Sequence, residues 1–274
     1  MATVRKKKSS EYKFSVLMSI CDKETPKYIK ECLDSVFDQT VVPDEVVVVL
    51  DGLLAKDSMK ILDNYDLKII KNKHMVGLSN ALNQGLKKCK YEIVARMDSD
   101  DICVKNRFEK QLEEFKKNSN LALVGGQILE FEDDITYKVR RVPLTKEEII
   151  KFSKKRNPFN HMTVMFKKSV ILSLGSYEVI PYFEDYYLWT KLLNGNYEVK
   201  NLEDVLVNAR INLDHIKRRG EIKYIKYIYN FEKRIYKDGY INFFQFIFNI
   251  IVRFLTSILP NRTRSKFYNM FLRK

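Results

Sequence analysis

The chain has 274 residues, 45% of them apolar and 31% charged. That is enough to bury one large core or a core with an appendage, and it excludes wholesale disorder; nine Gly and six Pro exclude collagen-like and low-complexity classes. Of the net charge of +14, +11 lies from Arg210 onward, in fifteen basic against four acidic residues, so a near-neutral body carries a basic tail, which argues against a nucleic-acid fold basic throughout and points to a phosphate ligand or an anionic membrane.

Residues 1–13 are basic and polar without an apolar run, unlike a secretory leader. Four cysteines without a C-x-x-C pair argue against a disulfide scaffold or structural zinc site and fit a reducing compartment. Phe14–Ile20 is a short apolar run with the length of a strand covered on both faces. Thr25 and Pro26 read as the cap and first residue of a helix, with Ile29, Cys32, Leu33, Val36 and Phe37 at helical spacing. Glu45–Leu50 is a second buried strand, Asp57–Tyr65 a short helix and Leu67–Lys71 a third strand. Leu78, Leu82 and Leu86 mark one face of a helix, Glu92–Met97 is a fourth strand, and Phe108, Leu112 and Phe115 mark the next helix. This alternation predicts an α/β fold with a mainly parallel sheet, helices on both faces, and ligands beyond the carboxyl ends of the strands.

After residue 120 the pattern changes. Leu121–Val124 and Gln127–Phe131 read as two strands parted by Gly125-Gly126, and Thr145 with Glu148 as a capping box. His161–Phe166 and Val205–Ile211 read as strands, and Asp185–Asn194 as a helix ended by Gly195. Tyr240–Leu259 is apolar and aromatic, broken by Gln245, Asn249 and Arg253 and followed by Arg262, Arg264, Lys266, Arg273 and Lys274. Burying Arg253 at a bilayer centre costs roughly 2.5–3.5 kcal/mol on insertion scales, which disfavours spanning and favours an interfacial helix with basic flanks. The competing reading is an ordinary helix packed on the body or on a second copy.

The sharpest chemical feature is Arg96-Met97-Asp98-Ser99-Asp100-Asp101 at the end of the fourth strand. Side chains two apart on an extended chain face the same way, so Asp98 and Asp100 can converge on one point, and carboxylates so placed repel unless a cation such as Mg²⁺ or Mn²⁺ lies between them. The alternative is an acidic helix start, with Asp100 or Asp101 as cap. Asp51-Gly52 follows the second strand and Ser19 ends the first, at the edge where a base or ribose would lie. Glu184-Asp185 opens a helix, where acidic residues also serve the dipole. Arg210, His215 and Lys217-Arg218-Arg219-Gly220 form a basic cluster, either a phosphate contact or a solvated face. No G-x-G-x-x-G follows the first strand and no G-x-x-x-x-G-K-[ST] occurs, so Rossmann dinucleotide and Walker-type sites are unsupported.

Taken in order, FSVLMSICDKETPKYIKECLDSVFDQT, PDEVVVVLDG, GLSNALNQGLKKCKYEIVARMDSDD, NHMTVMFKKS, FEDYYLW and KRRG resemble the family 2 glycosyltransferases, more narrowly the bacterial enzymes of capsular, exopolysaccharide and O-antigen synthesis. The resemblance implies a GT-A fold over residues 14–220, with a nucleotide-sugar half at 14–120 and an acceptor half at 121–220, and a basic, aromatic helical tail at 221–274. It implies hexosyl or N-acetylhexosaminyl transfer with inversion, a nucleoside-diphosphate sugar donor (UDP-linked by the same resemblance), a lipid-linked saccharide acceptor, and Mg²⁺ or Mn²⁺ on Asp98 and Asp100. Asp51 resembles the carboxylate that reads the base, Asp98 also contacts the donor, and Asp185 matches the catalytic base with Glu184 beside it. Ser19, Asn83, Arg96 and His161 match the donor pocket, and Arg218 and Arg219 a loop closing over the diphosphate. The implied setting is the cytoplasmic, inner face of the plasma membrane, met by the tail unless the tail pairs subunits into a homodimer; nucleic acid is not an expected partner. The competing functions are a sugar nucleotidyltransferase of similar fold, which would release pyrophosphate, and a non-enzymatic basic protein binding membrane or RNA, with steep salt dependence.

Overall fold

The computed structural model describes residues 12–132, 135–211 and 222–258. β1 (Phe14–Cys21) is the central strand: Phe14, Val16, Met18 and Ile20 enter the core on one face of the sheet and Leu17 the core on the other. It pairs in parallel with β2 (Glu45–Asp51) and β4 (Ile93–Arg96), and β3 (Lys68–Lys71) lies outside β2. The helices α1 (Pro26–Phe37), α2 (Lys56–Leu62), α3 (Leu78–Lys88) and α4 (Arg107–Lys117) connect and cover this half. The start of α1 is the predicted one, with Thr25 Oγ1 accepting from the Tyr28 amide at 3.3 Å and Pro26 in the first turn. Along α3, Leu82 and Leu86 are buried, whereas Leu78, expected on the same face, is exposed in the first turn. A side chain at Gly85 would collide with Leu17 and Val49, so the glycine sets how closely α3 lies on the sheet.

Beyond residue 120 the sheet becomes mixed. β8 (Met165–Lys167) runs antiparallel between β4 and β6 (Leu121–Glu132), and β9 (Glu198–Arg210) runs parallel to β6. Two short elements absent from the sequence reading complete it: β5 (Ile102–Cys103) against β9, and β7 (Ile135–Arg140) against β6. The order is β3-β2-β1-β4-β8-β6-β9-β5. The strand expected to break at Gly125-Gly126 is continuous. A side chain at Gly125 would strike Asn201 and one at Gly126 would strike Leu206, so the pair admits β9 at close approach, with shifts of register at that point. The strand expected over His161–Phe166 is instead a single 3-10 turn, His161–Thr163, leading into β8. α5 (Lys146–Ser153) carries the predicted capping box, α6 (Lys168–Ser173) follows β8, and α7 (Glu184–Asn194) ends at Gly195 as expected.

α8 (Ile222–Lys237) and α9 (Phe243–Ile258) form a pair at the C-terminal end. Among the described residues no helix is long and apolar enough to cross a membrane. Arg253, which the sequence presents as a break in the apolar run, faces inward. It pairs with the fully buried Glu232 at 3.0 Å and donates to the Lys155 carbonyl at 3.0 Å, while Asn249 donates to Glu232 at 2.9 Å. Phe244, Ile247, Phe248 and Ile251 stand exposed on the outer side. Breaking a buried pair leaves an uncompensated charge, so Arg253→Ala is expected to lower the unfolding free energy by about 3–5 kcal/mol, read by urea titration. Adding Glu232→Gln to it should recover part of that loss.

Candidate functional site

The parallel register sets the site. Leu17 pairs with Arg96 and Cys21 with Asp51, so the carboxyl ends of β1, β2 and β4 share one edge with Ser19, Asp51 and Asp98 on it. The backbone where β4 ends is pinned from below. The fully buried Arg107 donates to the Arg96 carbonyl at 2.7 Å and to the Met97 sulfur at 3.1 Å, and the Cys32 thiol reaches the Asp98 carbonyl at 3.1 Å. The acidic run leaves the sheet from this fixed point. It does not cap a helix: α4 begins at Arg107 after Asn106, and Asp101 instead accepts from the Arg210 amide at 2.8 Å. Arg210 also donates to the Asp100 carbonyl at 3.1 Å, pairs with Glu31 at 2.7 Å, and lies over the Tyr28 ring at 3.8 Å. The end of β9 is thereby tied to α1 and to the acidic loop.

Asp98 is paired with the buried Arg96 and keeps 31% of its side chain exposed. Burial, then the negative charge of Asp98, pushes the Asp100 carboxyl up to about 6. Asp101 is raised further by the same causes, and its Oδ2 is buried without a hydrogen-bond partner. Glu24, which the sequence reading missed, joins this cluster: burial, then Asp100 and Asp98, raise it to about 7. Its signal was positional, since it sits just past the carboxyl end of β1. Asp98 and Asp100 are the residues expected to hold Mg²⁺ or Mn²⁺. Among the described residues no group of three or more His, Cys, Asp or Glu side chains is gathered to hold an ion unaided. The arrangement fits a site of two carboxylates completed by diphosphate oxygens, because the mutual repulsion here is what a cation relieves.

Glu184 and Asp185 open α7, but the residue before the helix is Phe183, with no side-chain cap. Asp185 accepts from the Asn157 amide at 2.6 Å and from the Tyr186 backbone amide at 2.7 Å. Burial raises Asp185 above the usual carboxylate range against these bonds, and raises Glu184 to about 7. Arg96, ion-paired with Asp98, and Tyr177 lie within electrostatic reach of this pair and of the acidic loop. The Arg96 charge acts on both Glu184 and Asp185, and the Tyr177 phenol, raised first by burial, feels Asp185, Asp98 and Glu184. Tyr177 is buried, with its hydroxyl 3.0 Å from His161 Nε2. Burial, then Arg96, hold His161 well below its usual value, so it is neutral near pH 7.

The remaining predicted residues make structural bonds around this centre or fall outside the described residues. Asp51 accepts from the Val76 amide at 2.6 Å and the Gly77 amide at 3.0 Å, fixing the loop before α3 against the end of β2. Asn83 clasps the Tyr177 backbone, donating to its carbonyl at 2.7 Å and accepting from its amide at 3.0 Å. Ser19 is half-buried at the end of β1. Arg218 and Arg219, with His215 and Lys217, lie outside the described residues.

The family model described as Glycosyl transferase family 2 matches residues 15–178. The chain is 38% identical to a UDP-Gal:alpha-D-GlcNAc-diphosphoundecaprenol beta-1,3-galactosyltransferase of Escherichia coli, over 96% of this chain and 97% of that one. It is 34% identical to an amylovoran biosynthesis glycosyltransferase of Erwinia amylovora, over 93% and 97%. Among solved structures, a mannosyltransferase of Pyrobaculum calidifontis in complex with GDP-Man and Mn²⁺ superposes with a TM-score of 0.65 at 16% identity, over 93% of this chain and 72% of that one. TarS of S. aureus in complex with UDP does so with 0.60 at 18% identity, over 95% and 70%. With a domain match over more than half its length and relatives aligned nearly end to end, the chain belongs to the family 2 glycosyltransferases and has their GT-A fold.

Proposed function

We propose that the chain is an inverting glycosyltransferase of bacterial surface polysaccharide synthesis, moving a hexosyl or N-acetylhexosaminyl group from a UDP-sugar to a hydroxyl of a lipid-linked saccharide. One observation carries the reading: the carboxylates Asp98 and Asp100 leave the carboxyl end of β4, Asp98 is ion-paired with the buried Arg96, and a second acidic pair, Glu184 and Asp185, stands close enough to feel the Arg96 charge. The relatives named for amylovoran synthesis and for a diphosphoundecaprenol-linked acceptor support the substrate class.

On this reading residues 14–220 are the catalytic unit. Asp98 and Asp100 would hold Mg²⁺ or Mn²⁺, which when bound stabilises negative charge on the departing diphosphate. Asp51 keeps the 75–77 loop in place and has lone pairs left for a base N–H; Ser19, Asn83, Arg96, His161 and Glu184 shape the donor pocket, and Arg218 and Arg219 contact the diphosphate. Asp185 takes the proton of the acceptor hydroxyl as its oxygen attacks C1, while the C1–oxygen bond to the diphosphate breaks. A single displacement from one face inverts C1. The exposed aromatic side of α9 and the basic residues that follow it would rest on the inner membrane surface, where the acceptor lies.

The test is transfer by the purified protein from a panel of UDP-, GDP- and dTDP-sugars to a sugar–diphosphate–lipid acceptor, with and without Mn²⁺. The expected product is β-linked from an α-linked UDP-sugar, with release of UDP. Pyrophosphate release, or a retained α-linkage, would overturn the proposal.

A further inference from the structure

The segment between α6 and α7 holds three residues in the left-handed region, Gly175, Ser176 and Tyr182, with φ of 84°, 61° and 70°. Its first part is clamped to α3, by Asn83 on the Tyr177 backbone and by the Ser79 hydroxyl donating to the Glu178 carbonyl at 3.3 Å. Its last part delivers Glu184 and Asp185. A left-handed backbone is unfavourable for any residue with a Cβ, and an aromatic residue kept there calls for a reason. Burial is not that reason, because Tyr182 is 47% exposed. Anchoring the helix is not the reason either: the next residue, Phe183, is buried and stacks on Phe231 with ring centroids 4.6 Å apart. The Tyr182 ring meets Tyr224 edge-on at 5.3 Å and Tyr227 at 5.7 Å, both on α8. The left-handed turn therefore holds the exposed Tyr182 ring against two half-buried tyrosines of α8, three residues before Asp185.

We propose that Tyr182, backed by Tyr224 and Tyr227, is the platform on which the acceptor's terminal sugar ring stacks, bringing its hydroxyl to Asp185. A pyranose offers an apolar face of C–H groups and a polar rim, which matches rings that are apolar in body and carry hydroxyls at their tips. A lipid chain matches less well, since it would desolvate the hydroxyls without replacing their hydrogen bonds. The donor has its own place along the ends of β1, β2 and β4. The inference rests on the reading of Asp185 as base.

Tyr182→Gly and Tyr182→Phe separate the platform from general damage. The glycine variant sheds the left-handed strain but also the ring contacts with Tyr224 and Tyr227, two effects of similar size, so its Tm should stay within roughly 2–4 °C of wild type, while its KM for the saccharide acceptor rises about tenfold and its affinity for UDP with Mn²⁺ stays unchanged. The phenylalanine variant, which keeps the ring, should hold the acceptor KM within about threefold. An unchanged acceptor KM in Tyr182→Gly, or a parallel loss of UDP affinity, would overturn the platform. If Asp185→Asn kept its turnover while Tyr182→Gly still raised the acceptor KM, the base assignment would fall and the platform would stand.

Discussion

Asp185→Asn is expected to remove transfer almost completely, lowering kcat by about 10²–10⁴-fold, the usual worth of a positioned general base. The amide cannot take a proton from the acceptor hydroxyl. Affinity for UDP with Mn²⁺, measured by calorimetry, should be little changed, because the acidic loop at 98–101 is untouched. The same assignment fixes a pH profile. A base works only when ionised, and burial holds Asp185 above the ordinary carboxylate range with Glu184 near 7. The wild-type rate should thus fall on acidification at a higher pH than an ordinary carboxylate would impose, as Asp185 takes up its proton. An acid limb no higher in pH than that of a free carboxylate would contradict the assignment, as would wild-type turnover in the asparagine variant.

Asp100→Asn should act in two opposite directions. Transfer and Mn²⁺-dependent UDP binding should weaken by at least about 100-fold, because one of the two carboxylates proposed to hold the ion is lost. Stability of the metal-free protein should instead rise, with a Tm higher by about 2–4 °C near pH 7.5. The sign follows from the raised carboxyls. Asp100 near 6 and Glu24 near 7 keep protons that the unfolded chain releases near pH 4. The folded form then binds more protons than the unfolded one, and stability declines as pH rises through that interval. Removing one charge lessens the repulsion. Thermal scans at pH 5 and 7.5, with and without Mn²⁺ plus UDP, would show it; a Tm lowered by the substitution would mean the cluster is held together by bonds rather than strained by charge.

Much of this was legible in the chain because it rests on local chemistry. Unbroken apolar runs marked β1 and β2, Thr25-Pro26 marked the start of α1, and Thr145 with Glu148 marked α5. What escaped depends on contacts distant in sequence. Gly125-Gly126 reads locally as a break, and only the proximity of Asn201 and Leu206 makes it the middle of a strand. β5 has two residues and exists because β9 lies beside it. For the site, the D-x-D run at the end of a buried strand was visible. The Glu184-Asp185 pair reads locally as helix-start chemistry, and the bond from Asn157 to Asp185 is a contact distant in sequence that no local pattern announces. Glu24 carries no motif at all; its relevance comes from facing Asp98 and Asp100.

The strut between Arg253 and Glu232 also limits how the C-terminal helices can behave. Pulling α9 from the body would strand a carboxylate inside apolar surroundings and leave Asn249 without its acceptor. The helix is for that reason no loose anchor that unfurls into a bilayer and refolds. It stays seated as a fixed sole, and whatever lies beneath meets Phe244, Phe248 and Ile251 at one set height and tilt relative to the body of the chain.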